Sequence, residues 1–164
     1  PGEPERVLRE ASAALDGLDL VVQSAGVVAF GPVAELTDET LVKLVEINLL
    51  APIRLARAAL DVLDRGGTIV QVSAIVADAP TAGMAAYSAS KAGLTAFDRA
   101  LAREARRAGV RVIDVRPPHL DTGLEGRPIA GEPPTLPPGR DVREAAGLIV
   151  DALTDERARE VLWD

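Results

Sequence analysis

The stretch Tyr87-Ser88-Ala89-Ser90-Lys91 is the part of the sequence around which the rest can be organised. On a helix, Tyr87 and Lys91 lie one turn apart on the same face. Free tyrosine has a pKa near ~10, which is too high for efficient general acid–base catalysis at neutral pH. A neighbouring ammonium group favours the phenolate, and we therefore expect Lys91 to lower the pKa of Tyr87. An ordinary surface Tyr/Lys pair is the alternative, because a two-residue pattern recurs by chance.

Predicted strands and helices alternate on both sides of this stretch. Apolar runs predict strands at Leu20–Val22, Thr68–Ser73, Val110–Val115 and Val161–Trp163. Helical spacing of apolar residues predicts helices at about Pro4–Leu15, Thr37–Leu63, Tyr87–Arg107 and Asp141–Leu153. Strands that are apolar throughout, including Leu20–Val22, are typical of burial on both faces. The alternation predicts one α/β domain over residues 1–164, with a parallel sheet and helices on both of its faces.

The composition limits the possible classes of function. A net charge of −7 without a basic cluster, together with an aromatic content of 2%, argues against nucleic-acid partners. One His and no Cys leave no zinc-type ligand set, and we expect no metal site. No apolar run approaches transmembrane length and no signal-peptide pattern opens the chain. We therefore expect no membrane partner and a cytoplasmic location.

Asn48 and Pro52 interrupt the apolar stripe of the second predicted helix. A buried polar side chain is costly unless it is hydrogen-bonded, so Asn48 needs a partner. Pro52 lacks an amide hydrogen, so the Asn48 carbonyl loses its usual helical partner. The pattern predicts either a kink that frees this carbonyl or a break between two helices, and the sequence leaves both open.

Polar groups follow three of the predicted strands. Gln23-Ser24-Ala25-Gly26 follows the first strand, Ser73 ends the second, and Pro117–Thr122 follows the third. Ligands of open parallel sheets bind beyond the carboxyl ends of the strands. Because Tyr87 opens the helix after Ser73, we expect its phenol and Lys91 to converge on the same crevice as these groups.

These motifs together resemble the short-chain dehydrogenase/reductase family. The match runs nearly the whole length of the chain in the right order, through Gln23-Ser24-Ala25-Gly26, Asn48, Ser73, Tyr87-x-x-x-Lys91 and Pro117-Pro118-His119-Leu120-Asp121-Thr122. Each piece is weak alone, but five in order on an alternating α/β pattern are a strong indication. The resemblance implies a Rossmann-like doubly wound sheet. It also implies an NAD(P)-dependent oxidoreductase that interconverts a carbonyl and an alcohol by hydride transfer.

The resemblance implies catalytic roles for four residues. Tyr87 would be the general acid/base, and Ser73 would hold the same substrate oxygen. Lys91 would hydrogen-bond the nicotinamide ribose and lower the pKa of Tyr87. The freed carbonyl of Asn48 would seat a water that links Lys91 to solvent.

The resemblance also implies a binding site for NAD or NADP. Ala25 and Gly26 would let the chain pass close to the ribose of the cofactor. Thr122 and the backbone after Pro117 would contact the nicotinamide amide. The expected cofactor site shares three residues with the catalytic set, namely Asn48, Tyr87 and Lys91.

The segment Pro117–Gly139 contains seven of the twelve prolines and four of the 14 glycines. A loop this long in a compact domain is usually functional or disordered. The resemblance implies that residues 117–140 form the loop that covers a small carbonyl or alcohol substrate. It also implies a homodimer or homotetramer, assembled through the helices that carry Asn48 and Lys91.

The sequence departs from the family pattern at several positions. Gln23 and Ser24 stand where the family has two asparagines. Pro118 stands where glycine is usual, which removes a hydrogen-bond donor near the nicotinamide. Ala74 follows Ser73, where a second serine is common.

The largest departure is the absence of the glycine motif Gly-x-x-x-Gly-x-Gly. No two glycines of the chain are two positions apart, so that motif does not occur. The chain opens with Pro1, and Met84 is its only methionine. We therefore expect the chain to correspond to the C-terminal two-thirds of the family's Rossmann domain. The N-terminal strands and the phosphate-binding segment would lie upstream.

Two other functions remain open at this point. A non-catalytic relic or truncated fragment that keeps the fold as an interaction module is favoured by the missing glycines. It is disfavoured by the full set of Asn48, Ser73, Tyr87 and Lys91, which packing alone does not require. A sugar-nucleotide epimerase or dehydratase shares the Tyr-x-x-x-Lys pair, but the small C-terminal region disfavours it.

Overall fold

The computed structural model describes residues 2–163 and contains four strands and five α-helices in alternation. The strands are β1 (Leu20–Gln23), β2 (Thr68–Val72), β3 (Arg111–Val115) and β4 (Glu160–Val161). The helices are α1 (Glu3–Leu15), α2 (Asp38–Val45), α3 (Ala51–Ala59), α4 (Ala85–Ala105) and α5 (Val142–Thr154). The predicted order of elements is confirmed.

The four strands form one parallel sheet in the order β1-β2-β3-β4. Register pairs such as Val22↔Val70 and Val70↔Ile113 place like-facing residues side by side. Each parallel connection runs through a helix, as parallel strands require. All four strands therefore end at the same edge of the sheet, which is where the candidate site lies.

Helices cover both faces of the sheet. On one face α1, α3 and α4 pack on β1, β2 and β3 through a core of small and branched side chains. On the other face α5 packs on β2, β3 and β4. The doubly wound parallel sheet predicted from the sequence is confirmed.

Strand β1 differs from the prediction that it is buried on both faces. Its residues alternate between exposed and buried, and Leu20 and Val22 are 38% and 46% exposed. Val21 and Gln23 point toward the helix-covered face and are buried. The reason is that α5 covers the other end of the sheet, so the second face of β1 has no helix over it.

The helix that carries Asn48 continues through Pro52 without a break. Thr37 caps α2 by accepting a hydrogen bond from the Thr40 amide, as predicted. A π-helical turn at Glu46–Leu50 joins α2 to α3, and the Ala51 amide bonds to the Glu46 carbonyl. The extra residue in this turn accommodates the missing amide of Pro52. The helix is therefore perturbed rather than divided, and the release of the Asn48 carbonyl stays a prediction.

Helix α4 presents small residues to the π turn. A Cβ on Gly93 would lie 3.2 Å from a methyl group of Leu49, so glycine permits the close approach of the two helices. The helix runs 21 residues and ends before Gly109, which has a positive φ of 75°. A glycine with positive φ is a common stop signal just after a helix.

The segment between β3 and α5 contains no helix or strand, as predicted. It is fixed at its end by a parallel bridge between Leu120 and Arg140. Asp141 caps α5 by accepting a hydrogen bond from the Arg143 amide at 2.8 Å. Within residues 2–163, no helix is long and apolar enough to cross a membrane.

The two register partners Val22 and Val70 provide a matched test of this architecture. Val70 is fully buried, and we expect Val70→Ala to lower the free energy of unfolding by about 2 kcal/mol. Val22→Ala is expected to cost less than about 0.5 kcal/mol because the side chain is half exposed. Chemical denaturation of both variants measures the difference. An equal loss at the two positions would mean that the open face of β1 is covered in solution.

Candidate active site

The candidate site lies at the carboxyl ends of the strands, on the side of the sheet that α4 covers. Tyr87 and Lys91 are both buried and occupy the first turns of α4, one turn apart. The residue after β2, Ser73, and the turn after β1 border the same region. The structure therefore brings the Tyr87–Lys91 pair together with the ends of β1 and β2.

Asn48 is fully buried and links three elements of the site. Its Oδ1 accepts a hydrogen bond from the Val27 amide at 2.9 Å, and its Nδ2 donates to the Val27 carbonyl at 2.9 Å. Nδ2 also lies 3.1 Å from the hydroxyl of Ser90 on α4. The predicted need of this buried amide for partners is met by the backbone after β1.

Lys91 reaches across the site to the backbone of β2. Its Nζ donates a hydrogen bond to the Val72 carbonyl at 2.9 Å. A Cβ on Gly26 would lie 3.4 Å from this Nζ and 3.2 Å from Oδ1 of Asn48. Burial lowers the pKa of Lys91 to about 8, although the nearby carboxylates of Asp114 and Asp98 oppose that shift. The pKa of Lys91 therefore lies nearer to neutral pH than that of an exposed lysine.

Tyr87 lies in an apolar cluster that includes Phe30, Leu44 and Ala74. Burial raises the pKa of its phenol to about 12. This direction is opposite to the one predicted from the Tyr/Lys spacing, because burial outweighs any effect of the Lys91 ammonium, which bonds to the Val72 carbonyl instead. Among the described residues, the phenol oxygen has no hydrogen-bond partner and is not fully enclosed, so its hydrogen-bonding capacity is free for a ligand.

The hydroxyl of Ser73 is not directed at Tyr87. It donates to Oδ1 of Asp114 at 2.5 Å, and Thr95 on α4 donates to it at 3.1 Å. Alternation along β2 places Ser73 among buried polar groups beneath the site, whereas Ala74 is the residue that joins the Tyr87 cluster. The geometry therefore does not match the role implied for Ser73, because its hydroxyl is already engaged by a carboxylate.

The turn after β1 is held by Gln23, one of the residues that depart from the family pattern. Nε2 of Gln23 donates to the Ala25 carbonyl at 2.9 Å. Gln23 is buried, whereas Ala25 is exposed. A longer amide thus secures this turn in place of the expected asparagines, and Ala25 and Gly26 stay free of side-chain bulk at the crevice.

Pro117 and Thr122, which were expected to contact the cofactor after the third strand, lie in different surroundings. Pro117 is buried, and its carbonyl accepts a hydrogen bond from the Ile75 amide at 2.9 Å. Thr122 is exposed, and its carbonyl accepts from Arg127 at 3.2 Å. Pro117 thus borders the end of β2, while Thr122 belongs to a surface turn.

The loop after β3 folds back over the Tyr87 cluster. The Ile129 amide donates to the Val28 carbonyl at 2.8 Å, and the Phe30 amide donates to the Ala130 carbonyl at 2.9 Å. Leu124, Ile129 and Ala130 pack on the same apolar cluster as Tyr87. The middle of the loop is therefore docked beside the phenol.

Comparison with known proteins identifies the family. The family model described as short chain dehydrogenase matches residues 2–131, which is most of the chain. The chain belongs to the short-chain dehydrogenase family. The resemblance inferred from the ordered motifs is thereby confirmed.

Individual relatives agree with this family. The chain is 30% identical over 166 residues to the 3-oxoacyl-acyl-carrier-protein reductase FabG of Escherichia coli strain K12, across 96% of this chain and 68% of that protein. A short-chain dehydrogenase from Streptomyces avermitilis superposes with a TM-score of 0.85 at 28% identity, covering 98% of this chain and 66% of that one. A short-chain dehydrogenase from Burkholderia cenocepacia J2315, solved with NADP, gives 0.84 at 26% identity, covering 97% and 69%. The chain spans about two thirds of the length of these relatives.

A cluster of buried polar residues beneath this short-chain dehydrogenase site was missed by the sequence analysis. Gln71, Asp98, Asp114 and Arg116 are each at most 2% exposed. The signal was present, because Asp98 lies three helical turns after Tyr87 on the same face and two charged residues interrupt the apolar run around Val115. Within residues 2–163, no group of three or more His, Cys, Asp or Glu could hold a metal ion.

Arg116 closes this cluster on the side toward the surface. Its guanidinium lies 3.1 Å from Asp114, 2.5 Å from Asp78 and 2.6 Å from Glu160. Asp114 is buried, whereas Asp78 and Glu160 are partly exposed. The buried guanidinium is therefore paired with one carboxylate in the interior and with two near the surface. Such pairing is what a buried guanidinium requires.

Replacing Ser73 tests its engagement with Asp114. Ser73→Ala leaves a buried carboxylate with one donor fewer, and we expect the free energy of unfolding to fall by about 1–3 kcal/mol. The matched control is Ser88→Ala on α4, because the Ser88 hydroxyl is buried without a partner and its loss is expected to be neutral or stabilising. Thermal denaturation compares the two variants. Equal stability of both would contradict the hydrogen bonds described for Ser73.

Proposed function

We propose that this chain carries the catalytic residues of an NAD(P)-dependent oxidoreductase that interconverts a carbonyl and an alcohol. The observation that supports this most is the pair formed by Tyr87 and Lys91. Within residues 2–163 the phenol oxygen is without a hydrogen-bond partner and not fully enclosed, and the ammonium one turn away makes one hydrogen bond, to the Val72 carbonyl. Reactive groups with unused hydrogen-bonding capacity beside a crevice are typical of active sites.

The residues around Lys91 fit a nicotinamide cofactor. Two of the three N–H donors of its ammonium remain for the hydroxyls of a ribose. Gly26 keeps the approach to this ammonium open, because a side chain there would press on Lys91 and Asn48. NAD(P)H supplies a hydride when bound, and the oxidised form accepts one. The relatives solved with NADP support this choice of cofactor.

Tyr87 supplies or removes the proton at the substrate oxygen. With the pKa of its phenol near 12, the group is protonated at neutral pH, which is the form that donates a proton to a carbonyl oxygen. Burial dominates the pKa of the phenol, but the positive charge of the Lys91 ammonium one helical turn away would still favour the phenolate left behind. We therefore propose that reduction of a carbonyl is the direction for which the site is prepared.

Asn48 and Ser73 act on the site through other groups. Asn48 fixes the backbone after β1 against α4, and its carbonyl is proposed to seat a water near Lys91. Ser73 holds Asp114 below the site. Ala74, rather than Ser73, lies in the Tyr87 cluster. The proposed substrate oxygen therefore receives its hydrogen bond from the phenol and not from a serine hydroxyl.

The loop is proposed to select an apolar carbonyl compound. Leu124 and Ile129 pack on the cluster that contains Tyr87, so a substrate oxygen at the phenol places its carbon body among apolar side chains. Residues 117–140 are therefore the proposed substrate loop. FabG is named for reduction of a 3-oxoacyl group, and 3-oxoacyl thioesters belong in the first panel of substrates. A homodimer or homotetramer and a cytoplasmic location are proposed from the family resemblance.

A non-catalytic role is the second candidate. Ala74 beside Tyr87 and the absence of a Gly-x-x-x-Gly-x-Gly motif favour it. Turnover by the full polypeptide separates the two, because an interaction module consumes no NAD(P)H. A sugar-nucleotide epimerase is separated by product analysis, since it returns its cofactor unchanged.

Tyr87→Phe tests the proposed acid/base role. The variant keeps the apolar ring but loses the proton, and we expect turnover in the full polypeptide to fall by at least about 10²-fold. Binding of NADPH, followed by fluorescence, is expected to stay within a few fold. Oxidation of NADPH by a panel of aldehydes, ketones and 3-oxoacyl thioesters measures turnover. Undiminished activity of this variant would contradict the role of the phenol.

Gly131→Ala tests whether docking of the loop matters for substrate binding. Gly131 has a φ of 70°, and a Cβ there would lie 2.0 Å from the Phe30 carbonyl oxygen, so alanine must displace the loop. The matched control is Gly123→Ala, which has a similar φ of 67° and no atom within 4 Å of the added carbon. We expect KM to rise more in Gly131→Ala than in Gly123→Ala. Equal KM values would argue against a substrate role for this part of the loop.

A further inference from the structure

Two buried carboxyl groups beneath the site differ sharply in their hydrogen-bond partners. Asp114 receives a hydrogen bond from Ser73 at 2.5 Å and an ion pair from Arg116 at 3.1 Å. Within the described residues, Asp98 receives one hydrogen bond, from the amide Nε2–H of Gln71 at 2.7 Å. Burial raises the pKa of both carboxyl groups, but of the two only Asp114 has a cation at ion-pair distance, which is what a buried carboxylate needs.

Two oxygens of the Gln71–Asp98 contact have no partner. Oε1 of Gln71 and Oδ2 of Asp98 are both buried and both unpaired. If Asp98 is ionised, each of these atoms is an acceptor only, and both orphaned acceptors cost free energy. One proton on Oδ2 turns Asp98 into a donor, which would allow a second hydrogen bond, to Oε1 of Gln71, beside the one from Nε2. A single proton would thus satisfy both orphaned atoms.

We propose that Asp98 holds a proton at neutral pH, forms a closed two-bond pair with the Gln71 amide, and acts as a positioning residue for Lys91. The pair joins α4 to β2 two helical turns below Lys91, whose ammonium bonds to the same strand through Val72. α4 is thereby fixed on β2 at both points. The part of this inference that concerns Lys91 in catalysis rests on the proposed function.

The charges around Asp98 support this assignment. Burial raises the pKa of Asp98 to about 8, the negative charge of Asp114 adds to the effect, and Gln71 and Lys91 oppose it. The charged groups that act on Asp98 are Asp114 on β3 and Lys91 on α4, and Arg116, directly after β3, pairs with Asp114. Beyond them, Arg116 is paired with Asp78 and Glu160, and Glu160 also pairs with Arg99.

Asp98 and Lys91 then titrate in the same pH range. Each favours the charged form of the other, so the two groups titrate as a coupled pair. The first proton lost on raising the pH then belongs to the pair rather than to either residue. When Asp98 ionises, its carboxylate holds the proton on Lys91. Asp98 therefore extends the pH range over which the Lys91 ammonium supports the phenol.

The test compares the wild-type polypeptide with Asp98→Asn, in which an amide NH₂ replaces the proposed OH and still donates to Gln71. In infrared spectra, a band of a protonated carboxylic acid is expected in the wild type at pH 7, absent from Asp98→Asn and lost from the wild type above about pH 8. Asp61→Asn, at an exposed position, is the matched control and should keep the band. Absence of the band in the wild type at pH 7 would overturn the proposal.

Stability against pH gives an independent readout. The folded pKa of Asp98 lies above its unfolded value, so the stability that its proton provides is complete below about pH 4 and is lost as the pH rises through about 8. Asp98→Asn lacks this loss, and its melting temperature above pH 8 should exceed that of the wild type. An Asp98→Asn variant that fails to fold at neutral pH, or melts below the wild type there, would contradict the proposal.

The role toward Lys91 is read from the pH profile of turnover. With the carboxylate removed, Lys91 loses its proton at lower pH, so the alkaline limb for Asp98→Asn should move to lower pH while that of Asp61→Asn does not. An unmoved limb would overturn the positioning role even if the protonated pair is present. If the wild type turns over none of the carbonyl compounds, the proposed function fails, whereas the infrared and melting measurements still decide the state of Asp98.

Discussion

The side-chain amide of Asn48 is the interaction on which the arrangement of the site depends. It completes both backbone hydrogen bonds of Val27, as a neighbouring strand would, and also contacts Ser90 on α4. Loss of this amide would leave buried backbone groups unpaired, at a cost of about 1–3 kcal/mol for each group. The π turn and the bare α-carbon of Gly26 bring the three elements close enough for these bonds. This one side chain therefore ties the turn after β1 to α4 in the region of Lys91.

Much of the fold and part of the site could be predicted from the sequence. Period and capping signals located the helices and strands, and the position of Tyr87 relative to Lys91 followed from helix geometry alone. The exposed side of β1 could not be predicted, because an apolar run does not say which helices cover it. The orientation of Ser73 was equally hidden, since strand alternation decides its face only once the register with Asp114 is known. The direction of the Tyr87 pKa depends on burial, which spacing does not report.

One feature of the site favours a catalytic role and another favours a non-catalytic one. The unpaired phenol and the partly bonded ammonium favour chemistry, because structural residues in a core rarely leave such groups unused. Ala74 beside the phenol removes a second donor for the reacting oxygen. The proposed reduction of a carbonyl requires one proton donor, and the protonated phenol of Tyr87 is such a group. The proposed pair of Asp98 and Gln71 beneath Lys91 is a reason to regard this part of α4 as belonging to the functional unit rather than to the inert core.

The two tightly fitted glycines of the loop also bear on how the protein can diversify. Gly131 lies against the Phe30 carbonyl and Gly139 against the Asp121 amide, so neither position accepts a side chain without moving backbone. Between them, residues 132–138 form a largely exposed arch whose two ends are fixed by these close contacts. Changes of length or composition within this arch leave the residues next to Tyr87 undisturbed. The outer part of the loop can therefore change independently of the inner segment that packs on the Tyr87 cluster.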